Sequence, residues 1–396
     1  MLRPSTTLPR RGQGPLWRNP AIRALIIQTV LFLVLAVFIG YLIHNTLLNL
    51  EARGIHTGFG FLEGRAGFSI PQTLIEYTSD STYGKTFVIG LLNTLLVSAL
   101  GIVAATIIGF TVGIARLSPN WLLARLATIY VETFRNIPLL VQILFWYYAV
   151  LRALPSPRQS LSLFDAFFFN VRGMVMPDPQ PLDGFSATPW ALLIAVAGAI
   201  LFGLFAKRRQ ARTGQSLPVY WIGLAVVIGL PLIVFLATGS PLEWRLPEMA
   251  GFNFQGGINI LPELLALWLA LSIYTAAFIA EIVRSGILSV SHGQTEAARS
   301  LSLPEAITLR KIVIPQAMRV IIPQMTSQYL NLIKNSSLAT AIGYPDLVAV
   351  FAGTTLNQTG QAIEIIAMTM AVYLVISLTV SFLMNLYNAR TLLKER

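Results

Sequence analysis

Eight long apolar stretches constrain this chain more than any other feature. A helix needs about 20 apolar residues to cross roughly 30 Å of hydrocarbon. Stretches of that kind lie at about 22–43, 87–115, 129–151, 188–206, 217–238, 261–284, 319–342 and 363–387. They predict an all-α, polytopic integral membrane protein with about eight transmembrane helices. Composition agrees: only 11% of the residues are charged and 55% are hydrophobic, whereas a soluble globular chain carries about 25% charged residues. A soluble enzyme is excluded, and so is a disordered chain, which needs high charge and low hydrophobicity. There is no cysteine, so disulfides, iron–sulfur clusters and cysteine zinc sites are excluded. The three histidines, His44, His56 and His292, are far apart, and no metal site is expected. The first stretch follows Arg10, Arg11, Arg18 and Arg23. It is longer than a signal-peptide apolar core and no small-residue cleavage site comes after it, so it reads as a retained anchor.

The net charge of +11 has to be placed against the membrane before it suggests a partner. With the N-terminus inside, nineteen basic residues fall in inner segments and seven in outer ones. The inner set includes Lys207, Arg208, Arg209 and Arg212; the outer set includes Arg53, Arg65 and Arg245. Arg135 and Lys334 are left within helices. This follows the positive-inside bias and places both termini in the cytoplasm. The basicity is then topological, and no nucleic acid is expected as a partner. The outer stretch 152–187, with Pro155, Pro157, Pro177, Pro179 and Pro181, reads as irregular loop.

One inner loop, Ser289–Ala317, is rich in structural signals. Ser291 and Gln294, and again Ser302 and Glu305, have capping-box spacing. Pro304 suits the first turn of a helix, and Pro315 stops or bends the helix at that point. The pattern predicts two short helices set at an angle, with Ala297 and Ala298 forming a small-residue face. Such a loop is either a docking element or a helix pair lying on the membrane surface, and the pattern alone weighs the two equally.

The same loop resembles the EAA loop of bacterial ABC-importer permeases. Glu296-Ala297-Ala298 is succeeded at the family spacing by Ser302, where glycine is usual, and by Ile312-x-Ile314-Pro315. Three further motifs occur in family order: Tyr130, Glu132, Arg135 and Pro138 through Gln142; Ala276 through Gly286; and Lys334-Asn335-Ser336-Ser337-Leu338 with Ile342-Gly343. Together, over about 85–151 and 260–390, they resemble the polar-amino-acid permeases of the long general L-amino-acid type. The resemblance implies a type I ABC-importer permease core of five helices. Its expected layout begins with a cytoplasmic basic tail (1–21), an extra helix (22–43), a periplasmic segment (44–86) and the first two core helices (87–151). It continues with an insertion carrying two extra helices (152–260), the last three core helices with the EAA loop (261–390) and a cytoplasmic tail (391–396).

By the same resemblance the chain is the permease subunit of an amino-acid importer in the bacterial inner membrane, broad in range for polar L-amino acids. The expected partners are ABC ATPase subunits at the EAA loop, a second permease subunit forming a heterodimer, a periplasmic amino-acid-binding protein, the substrate and membrane lipid. Tyr83-Gly84-Lys85-Thr86 falls short of a P-loop, which needs glycine at Ser79. No ATP-binding motif is present, so no cofactor is expected on this chain, and ATP and Mg belong to the partner ATPase. Coupling is expected through Glu296, Ala297, Ala298, Ser302, Ile312 and Pro315. An ion-coupled secondary amino-acid transporter is the alternative, though no internal repeat of the kind such transporters carry is evident; so is a membrane scaffold without its own path.

Two residue groups carry further expectations. Glu132 with Arg135, and Glu281 with Arg284, each lie three apart on one helix face. They predict an inner charge cluster that gates the path or positions the loop; snorkelling to the interface is the competing reading. The stretch 319–342 is unusually polar. Gln328, Asn331 and Lys334, with Ser336, Ser337 and Gln142, form a candidate substrate path, since a lysine facing lipid is costly. Local capping at the outer end, with Asp346 as a partner for Lys334, is the competing reading. Gly109 and Gly113 form a GxxxG, which reads as a chance occurrence or as packing within the chain in preference to a dimer seam.

Overall fold

The computed structural model describes residues 20–52, 57–215 and 217–391; the expected tails therefore lie largely outside the described residues. In chain order the helices are α1 (Pro20–Ala52), α2 (Tyr83–Ala115), α3 (Trp121–Asn136), α4 (Leu139–Leu144, continued by a π-helical stretch to Leu151), α5 (Ala187–Thr213) and α6 (Val219–Ala237). Then come α7 (Pro262–Leu288), α8 (His292–Ser300), α9 (Glu305–Thr308), α10 (Ile314–Asn335), α11 (Leu356–Thr359) and α12 (Ala362–Thr391). Six of these, α1, α2, α5, α6, α7 and α12, are long and apolar enough to cross a membrane.

The expected span at 129–151 is not one straight helix. It belongs to a pair, Trp121–Asn136 and Leu139–Leu151, bent by 105°. Pro138 stands at the break, where it cannot donate to the preceding turn. Gln142 spans the gap: its Nε2 donates to the carbonyls of Phe134 and Ile137, both at 2.9 Å.

The contacts decide whether this bent pair crosses or returns. Gly109 lies against Ala276 and Ile279, and Gly113 against Ala280 and Val283. Nearer the other end, Trp268 Nε1 donates to the Leu100 carbonyl at 3.1 Å. Residue numbers rise together along this seam, so α2 and α7 run parallel. The chain between them must cross an odd number of times. With α5 and α6 taking two, the bent pair crosses once. The eighth crossing is α10, whose 22 residues span about 33 Å but are too polar to register as apolar.

The seam explains the glycines. A Cβ on Gly109 would stand 2.6 Å from Ile279 Cβ, and one on Gly113 would stand 2.8 Å from the Ala280 carbonyl. The GxxxG is thus spent on packing within the chain. The main core gathers on α7, with Leu267, Leu271, Ala276 and Ile279 wholly buried, and extends to Ile143, Ile321 and Leu332.

The outer segments depart from the irregular loop that their prolines suggest. Strands β1 (Leu161–Leu163), β2 (Phe167–Asn170), β3 (Gly173–Met176), β4 (Asp178–Pro181), β5 (Leu242–Arg245), β6 (Glu248–Ala250), β7 (Asn253–Gln255) and β8 (Ile258–Ile260) form one four-stranded sheet, ordered β1-β2-β3-β8, and two ribbons, β4-β5 and β6-β7. Each strand is only three or four residues long, too short for alternation to show. The α5–α6 hairpin rises from the β4–β5 ribbon, which closes where Leu182 N–H donates to the Pro241 carbonyl at 3.1 Å. α5 and α6 pack on each other, with Ala191 and Ala195 buried, and make only marginal contact with the core.

Candidate functional site: a charged cluster, a polar stripe and an inner loop

Glu281 on α7 is the centre of a four-residue ionic cluster. Arg284, one turn on, reaches its Oε1 at 2.6 Å. Arg116, just past the end of α2, makes a short pair with its Oε2. Arg135, from the end of α3, stands further off at 3.9 Å, with its guanidinium 5.1 Å from the centre of the Phe278 ring. The sequence-derived cluster therefore forms around three of its four members. Glu132 is exposed and makes no ion pair among the described residues. Arg116 is the member that sequence reasoning missed. It sits at a helix end where basic residues are expected for topology alone, and its partner is 165 positions away.

Beside the cluster lies a cavity of about 350 Å³, lined by Arg135, Phe278, Glu281 and Ser285 on one side and Gln324, Ser327 and Gln328 on the other. From there a polar stripe runs along α10. Gln324, Ser327, Asn331 and Lys334 are exposed and Gln328 is half-buried. The opposite face, with Ile321, Ile322, Met325, Leu332 and Ile333, is buried in the core. The stripe is about 15 Å long by helical rise. Lys334 and Asp346 do not pair: Asp346 is buried and its Oδ1 accepts the Ala349 N–H at 2.8 Å. Ser336 and Ser337 turn back on their own helix, donating to the carbonyls of Ile333 and Lys334, both at 2.7 Å. Gln142 is buried at the bend, and its NH2 is engaged there.

The Ser289–Ala317 loop differs from its expected form in three ways. Neither capping box forms: Ser291 and Pro304 stand at the N-caps of α8 and α9, and neither helix has a side-chain cap. Ser302 instead takes a left-handed backbone, φ 56°, the region glycine occupies without strain. The turn of the family pattern survives through the backbone and not through a hydroxyl. Second, Ala298 is turned inward at 2% exposure, and its carbonyl accepts the Leu303 N–H at 3.1 Å. The small outward face is Ala297 alone, beside exposed Glu296.

Third, the second helix is not separate from the span beyond it. α9, a π-helical stretch at Leu309–Val313 and α10 succeed one another without a gap. The wider π turn makes room for Pro315, where a proline in a plain α-helix would clash. Gln316 Nε2 donates to the Ile312 carbonyl at 3.1 Å. The result is one helical rod from Glu305 to Asn335, about 45 Å long by helical rise. Between α8 and the start of this rod opens a groove of about 610 Å³, lined by Val290, His292, Arg299, Glu305 and Leu309 among others.

Residues 208–393 match the family of binding-protein-dependent transport system inner membrane components. The chain is 57% identical to the permease protein YhdX of Escherichia coli (strain K12), over 96% of each chain. It is 50% identical to the general L-amino acid transport system permease protein AapQ of Rhizobium johnstonii, over 98% of each. It is 42% identical to the glutamate/glutamine/aspartate/asparagine transport system permease protein BztB of Rhodobacter capsulatus, over 94% of this chain and 95% of that one. The chain belongs to the inner-membrane components of binding-protein-dependent transport systems, and within them to the amino-acid ABC transporter permeases, which work beside an ATPase and the other components of such a transporter.

Proposed function

We propose that this chain forms the translocation path for a broad range of polar L-amino acids, as one half of a permease heterodimer fed by a periplasmic amino-acid-binding protein. The supporting observation is the continuity of the Glu305–Asn335 rod. Its inner end belongs to the EAA loop and its outer third carries the polar stripe. Gln324, Ser327, Asn331 and Lys334 are too polar to face lipid without cost. They therefore face water, substrate or the second permease subunit. Gln328, Asn331 and Lys334 are the path residues on this reading. Gln142 holds the bend from behind, and Ser336 and Ser337 end the helix.

ATP and Mg²⁺ bind to the separate ATPase, which docks on Glu296, Ala297 and the groove beside them. A helix carries displacement along its axis, so movement at Glu305–Pro315 reaches the stripe by way of Pro323, the proline inside α10. Glu281, Arg284 and Arg135, with Arg116, form the inner gate; Glu132 stands at its edge, free to meet the partner subunit. Both termini are cytoplasmic, and the α1 anchor and the 152–260 insertion are additions to a five-helix core. Parallel α2 and α7 fit this orientation, because both then run inward.

Two experiments test the reading. The cysteine-free chain allows single thiols: Phe164→Cys should react with an impermeant reagent in intact cells, while Gln210→Cys and Ser300→Cys should not. The reverse pattern defeats the orientation. Ala297→Trp should leave the assembled transporter in the membrane and uncouple ATP hydrolysis from uptake. Undiminished uptake by that variant would rule out docking at this face.

A further inference from the structure

The ionic cluster is out of balance. One carboxylate, Glu281, faces three guanidinium groups, a net excess of two positive charges in the cluster, of which Glu281 and Arg135 line the cavity itself. Such an excess attracts anions strongly where water is scarce. The three arginines are not equivalent. Arg116 and Arg284 make the close contacts with Glu281, and the Arg116 side chain is only 12% exposed. Arg135 stands at the limit of pairing, with its side chain 39% exposed and lying against the Phe278 ring. It is held in place without being neutralised.

We infer that Arg135 is a binding residue for the carboxylate of the passing substrate, at an inner way-station formed by the cavity it shares with Gln324, Ser327 and Gln328. The inference rests on the transport function proposed above. Its chemistry comes from the lining. A guanidinium fork matches a carboxylate through two parallel hydrogen bonds. The side-chain carbonyls of Gln324 and Gln328 and the hydroxyls of Ser285 and Ser327 can accept from an ammonium group, and Phe278 holds the fork from behind. The cavity, at about 350 Å³, lies within the range of small-molecule sites. The positive excess adds selectivity by charge: acidic and neutral amino acids are accepted, and side chains with a second positive charge are disfavoured.

The test uses the full transporter, this chain with its partner permease and ATPase, in nanodiscs without the binding protein. Radiolabelled L-glutamate is the probe. Arg135→Gln should weaken L-glutamate binding at least tenfold, and Arg135→Lys should restore part of it. Binding of L-glutamate within twofold of wild type in Arg135→Gln would overturn the inference, as would absence of binding to the wild-type assembly. Loss of the assembled complex in both variants would assign Arg135 to the subunit interface and also overturn it. In proteoliposomes with the binding protein present, the same variants separate this inference from its foundation. If the wild type imports no amino acid, the transport function itself falls. If wild type and Arg135→Gln import equally well, the way-station alone is lost.

Discussion

The α2–α7–α10 core and the α5–α6 hairpin are both helical and apolar, yet they are built on opposite terms. In the core, backbones approach until only glycine fits, as at Gly109 against Ile279, and α10 keeps its exposed polar residues on one stripe. In the hairpin, contact is mainly between the two helices themselves, and a side chain at Gly198 would meet nothing within 4 Å. α6 buries no residue at all, and α1 buries none of its apolar window. Close backbone approach, and not hydropathy, separates the packed α2–α7–α10 core of this membrane protein from the α5–α6 hairpin and α1. Lipid tails are as apolar as leucine, so packing between helices has to come from shape.

The sharpest way to break this comparison is to put the same side chain on both sides of it. Gly109→Leu should cost about 3 kcal/mol or more, since Ile279 and the Ala276 carbonyl cannot both retreat. The expected result is loss of folded, assembled transporter, read by size-exclusion chromatography in detergent. Gly198→Leu should leave the elution profile and uptake unchanged. Equal tolerance at the two sites would mean that the seam is loose.

A smaller effect tests the steric demands of the loop. A non-glycine residue in the left-handed region carries about 1–2 kcal/mol of strain, so Ser302→Gly should stabilise the turn by up to about 1 kcal/mol, while Ser302→Val should destabilise it. Limited proteolysis at Arg299 measures both: glycine slows cleavage and valine speeds it.

The smallest expected effect comes from the largest deletion. Because Leu182 and Pro241 already meet, residues 183–240 can be replaced by a two-residue hairpin turn. Two crossings are lost, so the direction of α7 is unchanged. The shortened chain should assemble with its partners and retain basal ATPase activity. Failure to assemble would show that the hairpin contacts another subunit in the complex.

How much of this could be read beforehand depended on whether the signal was local. The apolar stretches and the EAA pattern are local, and so is the Glu281–Arg284 spacing. All reappear as structure, as α7, the inner loop and the 2.6 Å pair. Pro138 marked the bend at 136–139, yet the apolar run through it looked continuous, because hydropathy is blind to direction. The pairing of Arg116 with Glu281 left no trace in spacing. The strands at 161–181 were hidden by their prolines and brevity; their register is set by partners such as Ile260 opposite Met174, far along the chain. At Ser302 the residue pointed to a side-chain cap, whereas the backbone carried the turn.

The bent span has a consequence for how the protein is made. Neither half of it qualifies as a crossing on its own; only together are Trp121–Asn136 and Leu139–Leu151 apolar enough. The Tyr147 hydroxyl near its end donates to Glu263, 116 residues later, and Tyr130 donates to the Ile273 carbonyl at 2.7 Å. While the ribosome is still making α5 and α6, the bent span has no α7 to lie against. It must wait at the translocon or in the bilayer, its kink braced by Gln142 alone. The α5–α6 hairpin, whose two helices pack on each other, is synthesised during that wait. The order of synthesis thus places a finished pair of helices beside an unfinished one, and the core closes only when α7 arrives.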